Sequence, residues 1–167
     1  DQMSNGRVEL GLGAGWFAHE HDAYGIPFPD LGERFDRLEE QLDVITGLWA
    51  TEVGETFDHQ GPNYPVSNSP ALVSPQQDPM PIIVGGRGTR RTPALAARHA
   101  TEFNTPFVSR DEFRHLSGIV RTSCEAVGRN ADELTYSAAL VVCVGQDDAE
   151  LAERAAAIGR EPDELRE

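Results

Sequence analysis

The hydrophobic and polar positions along this chain alternate between two periods. Arg7 to Gly13 places Val8, Leu10 and Leu12 on one face, the period of a short strand. From Leu31 to Trp49 the apolar residues Leu31, Phe35, Leu38, Leu42, Ile45 and Trp49 recur every three or four positions. That spacing predicts a helix with one apolar stripe and with Glu33, Arg37, Glu40 and Asp43 on its other faces. Residues 50–81 break the rhythm with Gly54, Gly61 and prolines 62, 65, 70, 75 and 79. They read as a loop excursion holding a short hairpin around Gln60 to Asn63, and an insertion this long is usually functional. Alternation then resumes. Pro81 to Val84 reads as a buried strand, and Thr92-Pro93 as the first turn of a helix through His99. Glu102 to Thr105 is a weak strand. Ser109 and Glu112 form a capping box for a helix with Phe113, Leu116, Val120, Cys124 and Val127 on one face and Gly128 as its stop. Thr135 to Val144 is a continuous apolar run, expected to be a strand covered on both faces. Asp147 or Asp148 caps a last helix, with Leu151, Ala155 and Ile158 turned inward and Gly159 ending it.

Four strands, each followed by a helix, imply a parallel sheet with flanking helices. A small open doubly wound sheet and a segment of a (β/α)8 barrel both satisfy the pattern. A whole barrel needs about 250 residues, so the 167 here supply about half of one. Both ends look cut: Asp1 is followed by a strand within a few residues, and Pro162 opens a helix with no room to run.

Composition narrows the function classes. The 28 acidic and 14 basic residues give a net charge of -14, which argues against nucleic acid as a partner. Every basic residue is arginine. No apolar run approaches the roughly 20 residues of a membrane span. Cys124 and Cys143 are too few for a disulfide framework and point to a reducing cytoplasm.

Three stretches carry candidate chemistry. Gly11 to Ala18 crowds glycines at the end of the first strand. Gly13 to Ala18 fits G-x-G-x-x-A, but the fingerprint needs a long helix at once, and Gly25, Pro27 and Pro29 break the chain first. The glycines would equally let a flat ring lie on bare backbone, or form a ligand-free turn. His19-Glu20-His21-Asp22 has no metal-ligating spacing. His19 and Glu20 are candidates for proton transfer, and a solvated polar loop is the alternative. Gly85 to Arg91 (GGRGTRR) lies where a buried strand hands over to a helix. There free backbone N–H groups, the helix dipole and three arginines favour an anion such as phosphate, while the absence of G-K-[ST] excludes a nucleotide-hydrolysing loop. A glycine turn with solvated arginines is the plainer reading.

Taken together, Ser4 to Trp16, Gly25 to Phe28, Glu33 to Glu40, Pro81 to Gly86, Arg91 to Arg98 and Gly128-Arg129 resemble the luciferase-like monooxygenase superfamily. Within it they are most similar to the oxidoreductases that use the deazaflavin coenzyme F420. The resemblance implies a (β/α)8 TIM barrel, of which this chain is a partial barrel, about strands four to seven, with the excursion as the family's insertion. It implies a cofactor at the carboxyl-terminal mouth, its ring beside Gly13, Ala14 and Gly15 and its phosphate at Gly85, Gly86, Arg87 and Gly88. Arg87, Arg90 and Arg91 would suit the anionic tail. The implied reaction is hydride transfer between F420 and a small organic substrate, with His19 or Glu20 relaying a proton. Some members carry an acid just after the first glycines, where this chain has Trp16. An FMN-dependent monooxygenase of the same superfamily is the near alternative, and a non-catalytic half-barrel the distant one. No metal is expected, and exposed strand edges lead to an expectation of homo-oligomers.

Overall fold

In a computed structural model that describes residues 1–165, four parallel strands and their helices follow one another in chain order. Strand β1 (Leu10–Leu12) leads through α1 (Ala18–Tyr24) to α2 (Leu31–Ala50), then to a separate antiparallel hairpin of β2 (Thr56–His59) and β3 (Val66–Pro70). Next come β4 (Ile82–Gly85), α3 (Arg91–His99), β5 (Glu102–Pro106), α4 (Arg110–Ala126), β6 (Thr135–Ala139) and α5 (Asp148–Ala157). The main sheet runs β1-β4-β5-β6. Leu10 lies opposite Ile82, Ile83 opposite Glu102, and Glu102 opposite Thr135. Among the described residues no helix is long and apolar enough to cross a membrane.

The helices cover one face of this sheet. Ile82 and Val84 on β4, and Phe103 and Thr105 on β5, are buried, whereas their neighbours Ile83, Gly85, Glu102, Asn104 and Pro106 are only partly so. Because successive strand residues face opposite ways, the first set meets the helices and the second faces away. The core joins those strand residues to Leu38 and Leu42 of α2, Leu95 of α3, and Leu116, Val120 and Cys124 of α4. A doubly wound sheet would bring helices to both faces and reorder its strands; neither feature occurs among the described residues.

Local chemistry sets the boundaries. The Asp30, Ser109 and Asp147 side chains accept from the backbone N–H three residues on, capping α2, α4 and α5. The 20-residue α2 carries the stripe expected of it, and the Gly128 N–H bonds back to Glu125 to close the end of α4.

Several expectations need correction. His19 to Asp22 is not a loop but part of the short helix α1, closed by Gly25 at φ 63°. The Arg7–Gly13 strand shrinks to Leu10–Leu12, because among the described residues it pairs only with β4, and Arg7 is held by Ser4 instead. The weak strand at 102 is a central one, paired on both sides. The run from Thr135 stops as a strand at Ala139, and Leu140, Val142 and Val144 are exposed rather than covered. The reason lies in the neighbouring strand: Ala139 is paired with Pro106, and Phe107 then turns away at φ 52° with its N–H on the Ala139 carbonyl. Among the described residues no further pairing partner remains. Ile158 caps α5 beyond its last turn and is exposed, not inward.

Candidate functional site

The carboxyl ends of β1, β4 and β5 open onto a cleft of about 570 Å³. Its lining includes Gly13, Ala14 and Gly15 from the turn after β1, and Gly85, Gly86, Arg87 and Gly88 from the turn after β4. Two glycine turns some seventy residues apart in sequence are thus brought to one wall. Trp16, Leu31, Phe35, Thr92, Asn104, Pro106 and Phe107 complete it. A second, larger cleft of about 700 Å³ lies at the opposite end of the strands, where Met80 and Ile82 enter β4. Ligands in parallel α/β folds sit at the carboxyl ends, so the first cleft is the candidate site.

The turn after β4 needs its glycines for space. It wraps the buried side chain of Thr92: a Cβ at Gly88 would stand 3.0 Å from the Thr92 Oγ1, and one at Gly86 3.3 Å, with φ at Gly86 already 149°. The floor is bare backbone, since a Cβ on Gly13 would meet the Gly85 carbonyl at 3.5 Å. The Gly86 N–H is taken by the Asn104 carbonyl at 3.0 Å. Helix α3 begins just beyond at Arg90 without a side-chain cap, unlike α2, α4 and α5. Its first N–H groups are left for another acceptor.

The arginines are less available than a cluster of free charges. Arg87 pairs with Glu112 at 2.7 Å. Arg91 holds Asp36 at 2.6 Å and Glu39 at 3.1 Å, and Arg98 also bonds Glu39. Burial would raise the Glu39 pKa, but the two guanidiniums outweigh it and hold the carboxyl below its ordinary value. Neither Arg87 nor Arg91 is simply solvated, and much of the charge at this turn is neutralised by acids of α2 and α4.

His19 and Glu20 lie on α1, exposed and outside the lining of the cleft. The His19 ring packs edge-on to Phe17, with centroids 6.1 Å apart. His21 is the histidine that turns back toward the glycines. Its ring lies on Phe28 with centroids 4.5 Å apart, and a Cβ on Gly15 would come within 3.8 Å of it. The dinucleotide fingerprint lacks its long helix, since α1 has only seven residues. Among the described residues no group of three His, Cys, Asp or Glu could hold a metal ion.

Among the lining residues that escaped the sequence reading are Asn104 and Thr92. Asn104 stands on a strand whose short, weakly apolar run hid its central place. Thr92 looked like an ordinary helix-opening residue. The available signal was parity: Asn104 alternates with the apolar Phe103.

An F420-dependent glucose-6-phosphate dehydrogenase from Nakamurella multipartita is 34% identical over 137 residues, 79% of this chain and 38% of that protein. An FMNH(2)-dependent dimethylsulfone monooxygenase from Pseudomonas putida is 31% identical over 98 residues, 59% of this chain and 26% of that one. An F420-dependent secondary alcohol dehydrogenase, solved with an F420-acetone adduct, superposes with a TM-score of 0.79 at 18% identity, over 98% of this chain and 52% of its own. This chain therefore spans about half of that structure and less of the two sequence relatives, which divide between F420 and FMN. The family model for luciferase-like monooxygenases matches residues 1–165. The chain belongs to the luciferase-like monooxygenase family.

Proposed function

We propose that this chain forms strands four to seven of a luciferase-like (β/α)8 barrel and carries part of a coenzyme F420 site. The enzyme would be an oxidoreductase that transfers a hydride between the deazaflavin and a small organic substrate. One observation carries the reading: Gly13 to Gly15 and Gly85 to Gly88, from separate strand ends, line a single cleft of about 570 Å³. Sequential parallel strands with helices on one face, and a fold match to half of an F420-dependent enzyme, support the barrel.

The residues fit the cofactor. A floor of glycine backbone beside Phe35 and Trp16 accepts a flat ring, and the uncapped first turn of α3 accepts a phosphate. The deazaflavin carbon equivalent to flavin N5 would supply the hydride chemistry. Arg87 and Gly88 would anchor the phosphate at the turn that Gly86 shapes, and Arg90, which makes no ion pair among the described residues, would meet the anionic tail. Phe35 and Trp16 would exclude water. His19 or Glu20, exposed on α1 outside the cleft lining, would relay a proton between solvent and substrate. The outer edges of β1 and β6 are unpaired among the described residues and exposed apolar side chains flank β6, edges that the other strands of the barrel or a second copy of the chain would cover.

FMN is the alternative cofactor, favoured by the Pseudomonas relative. Titration of the 167-residue chain with F420 and with FMN, followed by each cofactor's own absorbance and fluorescence, separates the two. Saturable binding of both is expected, tighter for F420 than for FMN. Binding of neither would overturn the proposal.

A further inference from the structure

The open face of the sheet holds a three-residue polar chain that the functional reading has not used. Asn104 and Glu102 on β5 alternate with the buried Phe103 and Thr105, so both point away from the helices. Ser137 lies directly opposite Asn104 on β6 and shares that face. The Asn104 Nδ2 donates to the Ser137 Oγ at 2.7 Å, and the Ser137 hydroxyl donates to the Glu102 Oε1.

The order of donors follows from the carboxylate. Ionised Glu102 can only accept, so the Ser137 hydrogen points to it and the Ser137 lone pairs face Asn104. The Asn104 amide must then turn its nitrogen to Ser137 and its Oδ1 the other way. That oxygen has no partner among the described residues, and neither has the second hydrogen of Nδ2. Asn104 also lines the cleft, and its backbone carbonyl is tied to Gly86 of the glycine turn. A fixed amide with one acceptor and one donor unspent stands at the wall where the ring would lie.

We infer that Asn104 is a ligand-orienting residue of this cleft, its Oδ1 and remaining N–H meeting the imide edge that flavins and deazaflavins share. An imide edge presents an N–H beside a carbonyl, the complement of what Asn104 offers. Ser137 and Glu102 are positioning residues that act through it. This inference rests on the cofactor reading above.

Fluorescence titration of the 167-residue chain with FMN, F420 and N3-methyl FMN, alongside melting curves, tests it. Asn104→Ala weakens FMN and F420 binding roughly five- to twentyfold, the worth of one or two ligand hydrogen bonds. Ser137→Ala weakens it less, and Ser137→Thr restores it. N3-methyl FMN lacks the imide N–H and binds the unaltered chain more weakly than FMN, a difference that vanishes in Asn104→Ala. The methylated flavin needs no variant, so the test survives a substitution that fails to fold. If the unaltered chain binds FMN and N3-methyl FMN equally, or Asn104→Ala lowers only the melting temperature, Asn104 is a structural cross-strand link; the inference falls and the cofactor reading stands. Binding of none of these ligands by the unaltered chain overturns both.

Discussion

The Glu40 carboxylate, buried in the middle of α2, is held by Asn63 twice: the backbone N–H is shared between the two carboxylate oxygens, at 3.0 and 3.1 Å, and the side-chain amide donates at 2.7 Å. A further hydrogen bond comes from the Tyr64 N–H at 2.6 Å, and the His59 Nε2 stands 3.6 Å away. One carboxylate thus pins the tip of the inserted hairpin to the helix before it. A side chain at Gly61 would collide with that carboxylate, which fixes glycine there.

Burial would raise the Glu40 pKa, but the donors of Tyr64 and Asn63 outweigh it and hold it below its ordinary 4.5. With the folded pKa depressed, the stabilisation is complete above the ordinary carboxylate range and is lost as pH falls through the lower folded value. Glu40→Gln should lower the melting temperature at neutral pH, flatten its acid dependence, and speed exchange of the Asn63 and Tyr64 amides. Unchanged exchange would show that the hairpin tip is held elsewhere.

His99, on α3, is largely buried. Burial lowers its pKa from 6.5, partly opposed by Asp43, whose carboxylate is 3.3 Å away. The unfolded chain therefore binds a proton more readily than the folded one, and stability is lost as pH falls through and below 6.5. His99→Gln should reduce that loss. Melting curves between neutral and mildly acid pH report it, and an identical slope in the variant would exclude His99 as its source.

Phe103 is fully buried between β5 and the helix layer, edge-on to Tyr136 at 6.5 Å. Phe103→Ala should cost about 3–5 kcal/mol, through lost transfer energy and the cavity left behind. Urea unfolding measures it. A loss below about 1 kcal/mol would mean that the core closes over the gap.

Arg87 and Glu112 are both substantially exposed, so their pair contributes only about 0–1 kcal/mol. Arg87→Ala should leave the melting temperature nearly unchanged and weaken binding of FMN or F420 to the chain. The opposite outcome, intact affinity with a large drop in melting temperature, would make Arg87 a strut between the glycine turn and α4.

Much of what depends on one turn of chain was legible in the residues themselves, although the short helix α1 was not. The stripe from Leu31 to Trp49 gives α2, and Ser109 with Glu112 caps α4, because side chains three and four apart meet on one helix face regardless of what lies beyond. The glycine turns after β1 and β4 could be placed for the same reason. What they face could not. The arginines after Gly86 look like free charge in sequence, yet Glu112 lies 25 residues from Arg87, and Asp36 and Glu39 come from the other side of the insertion. Asn104 and Ser137, 33 residues apart, meet only because β5 and β6 pair in one register. Likewise the apolar run from Thr135 to Val144 has strand chemistry throughout, and it stops at Ala139 because its neighbour stops at Pro106. A strand needs a partner's backbone to continue, whereas a helix finds its partners within itself.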